Sequence, residues 1–439
     1  MTLVLKPFVA VISRLKYAQK FILLSVLFII PLATLLTIWL SELQKNVSQA
    51  EDERVGVTYI ESLLPLMLHV QQHRGQANGY LNGNKASESG MIEAEQLIAA
   101  DIEQIGKVSA EASSVLNTSE AWSTIQAEWT KLQASTKELT ARESFDQHSN
   151  LIERILDLVS LASDQSSLSL DPEVETFYLM DIFVHRAPLL IELSAQVRGQ
   201  GNGILSRKNA SDEDMIEITV YKEQIQDTLK ELGKSISKAN DSNPALADTM
   251  EGVGQKSVET ISQYLDTIDD TLLKSSSFTA DPAAYFAEGT ETIDGLTTVT
   301  AKVAAELSRL LEERSQSITA SRNTMLIIVG AFILLVVVFY LAFYRNVRST
   351  IQQLQTGASR FAQGDLSERL DLQTRDELRY VGDAFNKMAD SLNNLLRRNQ
   401  EISEQVAASS QELSAVSEES TKVMEQIADS VNSISEGAE

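Results

Sequence analysis

The amino-acid sequence predicts an all-α protein with two membrane-spanning helices and a helical bundle between them. Two uncharged apolar segments, residues 21–40 and 325–344, are each long enough to cross the hydrocarbon core of a bilayer. Apolar residues recur at spacings of three and four through most of the remaining chain, which is typical of amphipathic helices. Only 7 prolines occur in 439 residues, and no segment has a convincing strand pattern.

The charges beside the apolar segments predict the orientation of the chain. Residues 1–20 carry Lys6, Arg14, Lys16 and Lys20, and Arg345 and Arg348 follow the second apolar segment. The positive-inside rule therefore places both termini in the cytoplasm and residues 41–324 outside, as in a multi-pass protein of the bacterial inner membrane. The alternative for the first segment is a cleaved signal peptide, but the apolar region of signal peptides usually has only ~7–15 residues, fewer than this segment has.

Composition excludes several classes of function. A formal net charge of -24 argues against nucleic-acid binding, because phosphate contacts need a basic surface. The chain has no cysteine, so disulfides and cysteine-ligated metals are excluded. No nucleophile–base pair and no phosphate-binding loop occurs, and hence neither an enzyme nor a cofactor is predicted. Membrane lipid and a small-molecule ligand remain as expected partners.

The outer region, residues 41–324, divides into about six to eight long helices separated by short polar breaks. The breaks fall at 82–90, 170–175, 206–214, 240–246 and 279–285. Ser211 and Asp214 have the spacing of a capping box. Two Asp-Pro pairs, at 171–172 and 281–282, predict helices that begin with proline in the first turn. A stacked helical bundle is the architecture that such helices favour.

One short motif occurs twice in this region. Residues 74–79 read RGQANG and residues 198–203 read RGQGNG. On a helix, Arg74 and Asn78 share one face, as do Arg198 and Asn202, and the two glycines of each motif form a groove for close helix contact. One interpretation is that these four residues bind a small anion, since arginine donates two parallel hydrogen bonds to planar oxyanions. Tight helix packing with ordinary salt bridges, or a dimer contact, explains the same pattern.

Residues 345–398 contain two short amphipathic helices joined by an extended connector, and these helices cannot bury their apolar stripes within one chain. The segment resembles a HAMP linker. The matching residues are Gly364, Leu366 and Leu370 of the connector, the acidic pair Asp376 and Glu377, and Phe385 and Met388 of the F-N-x-M motif. The resemblance implies a parallel four-helix bundle in a homodimer. Thr350 and Arg379 depart from the family pattern, where proline and glycine are frequent.

The three–four spacing continues through residues 399–439, which predicts a cytoplasmic coiled coil. This segment resembles the start of the signalling helix of methyl-accepting chemotaxis proteins. The resemblance implies methylation of glutamates, with Glu412, Glu419 and Glu425 as candidates, by a receptor methyltransferase and methylesterase. It also implies a chemotaxis histidine kinase and a coupling protein as partners, bound by a hairpin tip beyond residue 439, and higher receptor arrays. An ordinary solvated coiled-coil face is the alternative for each glutamate pair.

The outer region resembles the all-helical sensor domains of chemoreceptors and sensor kinases. HRGQANGYL, VRGQGNGIL and DPEVETFYLMD suggest the nitrate- and nitrite-sensing domain or the helical bimodular domain. His69 and His73 lie one helical turn apart, but without further ligands a packed or solvated pair is favoured over a metal site. Trp122 and Trp129 are expected in the core. The glycines at 199–203 imitate a dinucleotide loop but follow no strand.

These patterns predict a transmembrane chemoreceptor that binds a small molecule outside, with an anion favoured, and signals through HAMP to a chemotaxis kinase. The alternative is a sensor histidine kinase or diguanylate cyclase with the same layout, of which the sequence would be a fragment ending before the catalytic domain. A purely structural membrane-anchored coiled coil is disfavoured by the polar HAMP connector.

Overall fold

The computed structural model describes residues 2–438, without the side chains of residues 2–4, 17, 248, 249, 251–253 and 255. Within this range it contains eleven α-helices and no β-strand, in agreement with the predicted fold class. The helices are α1 (Thr2–Ser13), α2 (Tyr17–Leu81), α3 (Ser87–Ala112), α4 (Ser119–Ser135), α5 (Ala141–Gln165), α6 (Val174–Met180), α7 (Ala187–Arg207), α8 (Asp212–Ser242), α9 (Ala247–Ile268), α10 (Pro282–Ala362) and α11 (Glu377–Glu436).

Two of these helices, α2 and α10, contain the apolar segments 21–40 and 325–344. Their apolar side chains in these segments are largely exposed, including Phe28, Leu35, Ile327 and Phe339. Exposed apolar surface of this extent is unfavourable in water and favourable in a bilayer. The structure therefore contains two helices that are long and apolar enough to cross a membrane.

The chain divides into two compact units, residues 1–324 and residues 325–439. In the first unit, α2 packs on α3, α5 and α7, and α8 packs on α6, α7 and α9. The core of this unit consists of fully buried apolar side chains, among them Ile60, Met67, Ile155 and Phe183. Trp122 and Trp129 belong to the same core, as predicted.

The polar breaks in the sequence coincide with helix ends. Ser211 and Asp214 form the predicted capping box at the start of α8. Pro282 is the first residue of α10, and Asp281 accepts hydrogen bonds from the next two free backbone amides. The prediction at the other Asp-Pro pair, 171–172, is wrong, because α6 begins only at Val174. There, the carboxylate of Asp171 accepts from the Glu173 amide and binds a distant arginine instead of starting a helix.

In the second unit, a connector at residues 363–376 follows α10 and leads into α11. Gly364 has a φ of 96°, a conformation that side-chain-bearing residues rarely adopt. The Asp376 carboxylate caps α11 by accepting from the Leu378 amide at 3.1 Å. Asn386 fixes the connector against α11, because its side chain both donates to and accepts from the backbone of Leu370.

The second unit buries few of its apolar side chains within one chain. Phe361 and Phe385 stack edge-to-face at 5.3 Å. The remaining apolar stripe of α11 is exposed, including Val381, Leu395 and Ile434. A stripe of apolar residues at this spacing normally packs against another helix.

Candidate functional site

The two RGQxNG motifs lie on α2 and α7 and meet where these helices cross. A β-carbon added at Gly199 would lie 3.7 Å from the Cα atom of Gly75 and 3.1 Å from the ring of Phe145. A β-carbon added at Gly75 would lie 2.8 Å from the ring of Phe286. The first glycine of each motif therefore permits the close approach of two backbones and one aromatic ring. The helix contact that the repeated motif predicts is present in the structure.

The asparagine of each motif lies against the second glycine of the other motif, so that Asn78 faces Gly203 and Asn202 faces Gly79. The side-chain amide of Asn78 donates to the backbone oxygen of Gly199 at 2.9 Å and so ties the two helices together. Asn202 is 5% exposed, but its side chain makes no hydrogen bond to any described residue. The two asparagines thus have reciprocal positions but different bonding.

Arg74, the arginine of the first motif, is fully buried and already neutralised. Its Nη1 donates to Oε1 of Glu192 at 2.6 Å, and its Nη2 donates to Oε2 at 3.2 Å. Gln71 and Gln196 donate to the same carboxylate, at 2.8 and 2.6 Å. Every carboxylate oxygen therefore has at least two donors, which is what a buried ion pair requires.

Arg198, the arginine of the second motif, is 4% exposed and has no carboxylate within 4 Å among the described residues. Its one hydrogen bond is from Nη1 to the hydroxyl of Thr290 at 2.9 Å, and its Nε has no partner. Burial lowers the pKa of this guanidinium to about 10, so it remains protonated at neutral pH. A buried cation without an anionic partner is costly, and it favours binding of an anion from outside the chain.

The surroundings of the two arginines are reciprocal. The guanidinium of the first motif lies 4.9 Å from the ring centre of Phe145 and donates to Ser149, one helical turn later on α5. The guanidinium of the second motif lies 4.5 Å from the ring centre of Phe286 and donates to Thr290, one turn later on α10. We call these the first and second arginine sites. The repeat in the sequence thus extends to an aromatic residue and a hydroxyl residue on other helices.

A histidine pair lies beside the first arginine site. His148 donates from Nδ1 to the backbone oxygen of Ser144 at 2.6 Å, so its Nε2 must accept from Nδ1 of His73 at 2.7 Å. Burial and the charge of a neighbouring His73 lower the pKa of His148 to about 3. The imidazole of His73 also packs edge-to-face against Trp129. The other predicted candidate, His69, bonds Asp101 on α3, and the described residues contain no cluster suited to a metal ion.

A cluster of charges joins α2, the start of α6 and α10 at the opposite end of the core. Arg314 donates to both carboxylate oxygens of Asp171, at 2.9 and 3.1 Å, and to Oε2 of Glu53 at 3.3 Å. Thr176 accepts from the same guanidinium at 2.8 Å. Burial, followed by the nearby charge of Asp171, raises the pKa of Glu53 to about 7. We call this set the Arg314 cluster.

A polar cavity of about 250 Å³ lies beside the first motif and is lined by Asn78 and Phe145. Its two arginines are both paired, Arg142 with Glu217 and Arg207 with Asp214. These ion pairs leave no unpaired cation in the cavity, in contrast to the second arginine site.

The other residues singled out from the sequence lie in the second unit. In the HAMP-like segment, the connector residues Leu366 and Leu370 and the α11 residue Phe385 are partly buried, while Met388 is exposed. The candidate methylation sites Glu412, Glu419 and Glu425 are exposed on α11. Their roles stay predictions.

Comparison with known families decides the classification of the chain. The family described as nitrate and nitrite sensing matches residues 65–308, a range that contains both arginine sites. The chain belongs to this family. The HAMP domain family matches residues 342–394, which confirms the predicted linker.

This member of the nitrate and nitrite sensing family also has a curated relative. Methyl-accepting chemotaxis protein McpA of Bacillus subtilis (strain 168) is 32% identical over 129 residues, which are 29% of this chain and 20% of McpA. The match thus spans about a fifth of the relative's length. The relationship to chemotaxis transducers predicted from the coiled coil is confirmed as a distant one.

A solved structure, described as the structure of the NasR transcription antiterminator, aligns with a TM-score of 0.48 at 15% identity. The alignment covers 83% of this chain and 99% of NasR.

Sequence inspection missed most partners of the two arginines. Glu192, Phe145, Phe286 and Thr290 come from three helices, and none belongs to a conspicuous motif. The sequence does not reveal the Arg314 cluster either, although DPEVETFYLMD, which resembles part of a sensor domain, contains Asp171 and Thr176.

Proposed function

We propose that this protein is a chemoreceptor of the bacterial inner membrane that binds nitrate or nitrite at the second arginine site. Both termini face the cytoplasm, residues 41–324 face outward, and two chains form a parallel dimer through HAMP and α11. The proposed segments are a cytoplasmic N-terminal segment (1–20), the first membrane span (21–40), the outer sensor domain (41–324), the second membrane span (325–344), the HAMP linker (345–398) and the start of the signalling coiled coil (399–439).

One observation carries the ligand proposal, namely the buried and unpaired guanidinium of Arg198. Membership in the nitrate and nitrite sensing family supports a small oxyanion. Guanidinium and nitrate are both planar, so that two parallel hydrogen bonds can form between them. The chain's net charge of -24 repels anions at long range, and hence affinity must come from this local site.

The four residues of the repeated motif take different roles in this proposal. Arg198 binds the anion directly, and Asn202, one turn away and without a hydrogen-bond partner among the described residues, donates to it. The two terminal nitrogens of Arg74 donate to Glu192, and the side-chain amide of Asn78 donates to the Gly199 backbone. They hold α2 and α7 together and so position the site.

Transmission starts from α10, because this helix supplies Phe286 and Thr290 to the site and also contains the second apolar segment. An anion that draws Arg198 away from Thr290 removes a contact between α7 and α10. Allosteric coupling needs only about 1–3 kcal/mol, the scale of one or two such contacts. HAMP then changes the packing of α11, which a chemotaxis kinase and its coupling protein sense.

Adaptation completes the proposed receptor. Methylation of Glu412, Glu419 or Glu425 by a receptor methyltransferase removes a negative charge from α11 and so lowers repulsion between the two helices of the dimer. A methylesterase reverses the change. The similarity to McpA, a methyl-accepting chemotaxis protein, over 129 residues supports this output.

Calorimetry on the full-length chain in detergent tests the ligand proposal. Nitrate and nitrite should bind, whereas sulfate and phosphate, which are tetrahedral, should bind more weakly. Arg198→Ala should weaken nitrate binding by at least roughly 10- to 100-fold, the value of one of the two charge-assisted hydrogen bonds that it removes. Arg198→Lys should recover only part of the affinity, and Asn202→Ala should cost less than Arg198→Ala.

Arg142→Lys is the matched control, because Arg142 is a surface arginine paired with Glu217. Its nitrate affinity should equal that of the wild type. Circular dichroism establishes that each variant is folded. Unchanged affinity in a folded Arg198→Ala protein would show that the second arginine site is not the binding site.

A further inference from the structure

The two arginine sites are built alike but differ in one anion. Each consists of a motif arginine, an aromatic ring under its guanidinium, and a hydroxyl one turn after that ring. Among the residues that the structure describes, only those of the first site include a carboxylate, that of Glu192. Because the arginine, the aromatic ring and the hydroxyl are common to both sites, the sites differ in whether an anion lies against the guanidinium.

The repeat explains how this difference arose in the sequence. Glu192 lies six residues before the arginine of the second motif and reaches the guanidinium of the first. The residue six positions before the arginine of the first motif is Leu68. Likewise Gln71, which donates to Glu192, corresponds to Ala195. The other donor to Glu192, Gln196, corresponds to Gln72 and is therefore retained. The carboxylate and one of its two amide donors are thus replaced by apolar residues in the other half of the repeat.

The carboxylate of Glu192 has the chemistry of the proposed ligand. It is a planar monoanion whose two oxygens accept from both terminal nitrogens of one guanidinium, at 2.6 and 3.2 Å. Nitrate presents the same two-oxygen edge. The hydrogen bonds from Gln71 and Gln196 then satisfy the remaining lone pairs of the carboxylate.

We infer that the first arginine site is a second oxyanion site, permanently occupied by the side chain of Glu192, and that the second site is open because Leu68 stands at the equivalent position. This inference rests on the proposed function for the open site. The occupied site accepts small planar monoanions, such as formate or nitrate, once the glutamate side chain is removed. The chain therefore binds one oxyanion instead of two.

Two reciprocal substitutions test the inference by calorimetry with nitrate on the full-length chain in detergent. Glu192→Ala opens the first site, and the number of nitrate ions bound per chain should rise from one to two. Leu68→Glu supplies a carboxylate to the second site, and nitrate binding there should weaken by roughly tenfold or more, as expected when a charged partner is already present. Leu68→Gln is the control, because glutamine has nearly the same size as glutamate but no charge. Its affinity for nitrate should stay within about threefold of the wild-type value.

Formate gives a second readout that does not depend on the open site. Glu192→Ala leaves Arg74 buried without an anion, so the variant should unfold at a lower temperature than the wild type. Formate should raise its unfolding temperature by more than it raises that of the wild type. If Glu192→Ala folds poorly, formate should restore folding when it is present during purification.

The outcomes separate the two claims. One nitrate per wild-type chain, with no additional nitrate and no formate rescue in Glu192→Ala, overturns the inference and leaves the proposed function intact. No nitrate on the wild type, but one on Glu192→Ala, overturns the open site and supports the occupied one. Wild-type nitrate affinity in a folded Leu68→Glu protein contradicts the equivalence of the two positions.

Discussion

The Arg314 cluster should make the stability of the outer bundle depend on pH through Glu53. This side chain is fully buried, and its carboxylate lies near both Asp171 and the single guanidinium of Arg314. Burial and the second carboxylate raise its pKa to about 7 from a usual value of 4.5. The perturbation is Glu53→Gln, which keeps the shape and a hydrogen-bonding group but cannot ionise.

The direction of the effect follows from the raised pKa. Below pH 4.5 Glu53 is protonated in both the folded and the unfolded chain, and its contribution to stability is fully present. As pH rises towards and through 7, the unfolded chain releases the proton more readily than the folded chain, and this contribution is lost. A difference of 2.5 pKa units, at about 1.36 kcal/mol each, corresponds to about 3 kcal/mol in total, most of it between pH 5 and pH 8.

Amide hydrogen exchange around Arg314 on α10 measures this loss. The quantity compared is the amide protection factor after correction for the intrinsic exchange rate. Between pH 5 and pH 8 this factor should fall roughly 50-fold more in the wild type than in Glu53→Gln, which corresponds to about 2–3 kcal/mol. Glu153→Gln, at an exposed position on α5, is the control and should follow the wild type. Equal pH dependence in wild type and Glu53→Gln would refute the reasoning, because Glu53 would then not titrate in this range.

Three further predictions concern packing. Single cysteines at Val381 and Leu392 should give disulfide-linked dimers in membranes, and the exposed control Arg397→Cys should give few; absence at both test positions contradicts the HAMP dimer. Phe385→Asp should abolish ligand-dependent kinase output with little change in nitrate affinity. Burying a carboxylate costs several kcal/mol, more than the allosteric coupling energy. Persistent ligand-dependent output would exclude the HAMP four-helix bundle. Gly199→Leu should lower the unfolding temperature measured by circular dichroism, since overpacking typically costs about 1–3 kcal/mol, and an unchanged unfolding temperature would show that the helices can separate.

Local signals in the sequence predicted the helices because helix ends depend on nearby residues. Ser211 and Asp214 lie three positions apart and cap α8 as expected. The same reasoning failed at Asp171, whose carboxylate binds Arg314, 143 residues away in sequence. A long-range ion pair leaves no local signature, and it changes where α6 begins.

The candidate site was predictable in part. The repeat of RGQxNG indicated two related helices in close contact, and the structure shows Gly75 against Gly199. The pattern could not show that one arginine is neutralised and the other is not, because that depends on Glu192 reaching across to the other helix. Comparing positions 124 residues apart would have paired Glu192 with Leu68, but without the fold nothing marks that pair as important.

A structure determined with bound nitrate tests the central claim most directly. The account predicts one planar anion bonded to Arg198, within hydrogen-bond distance of Asn202, with Arg198 drawn away from Thr290 and the ion pair between Arg74 and Glu192 unchanged. An anion that displaces Glu192 from Arg74, or one that contacts neither motif, would contradict it.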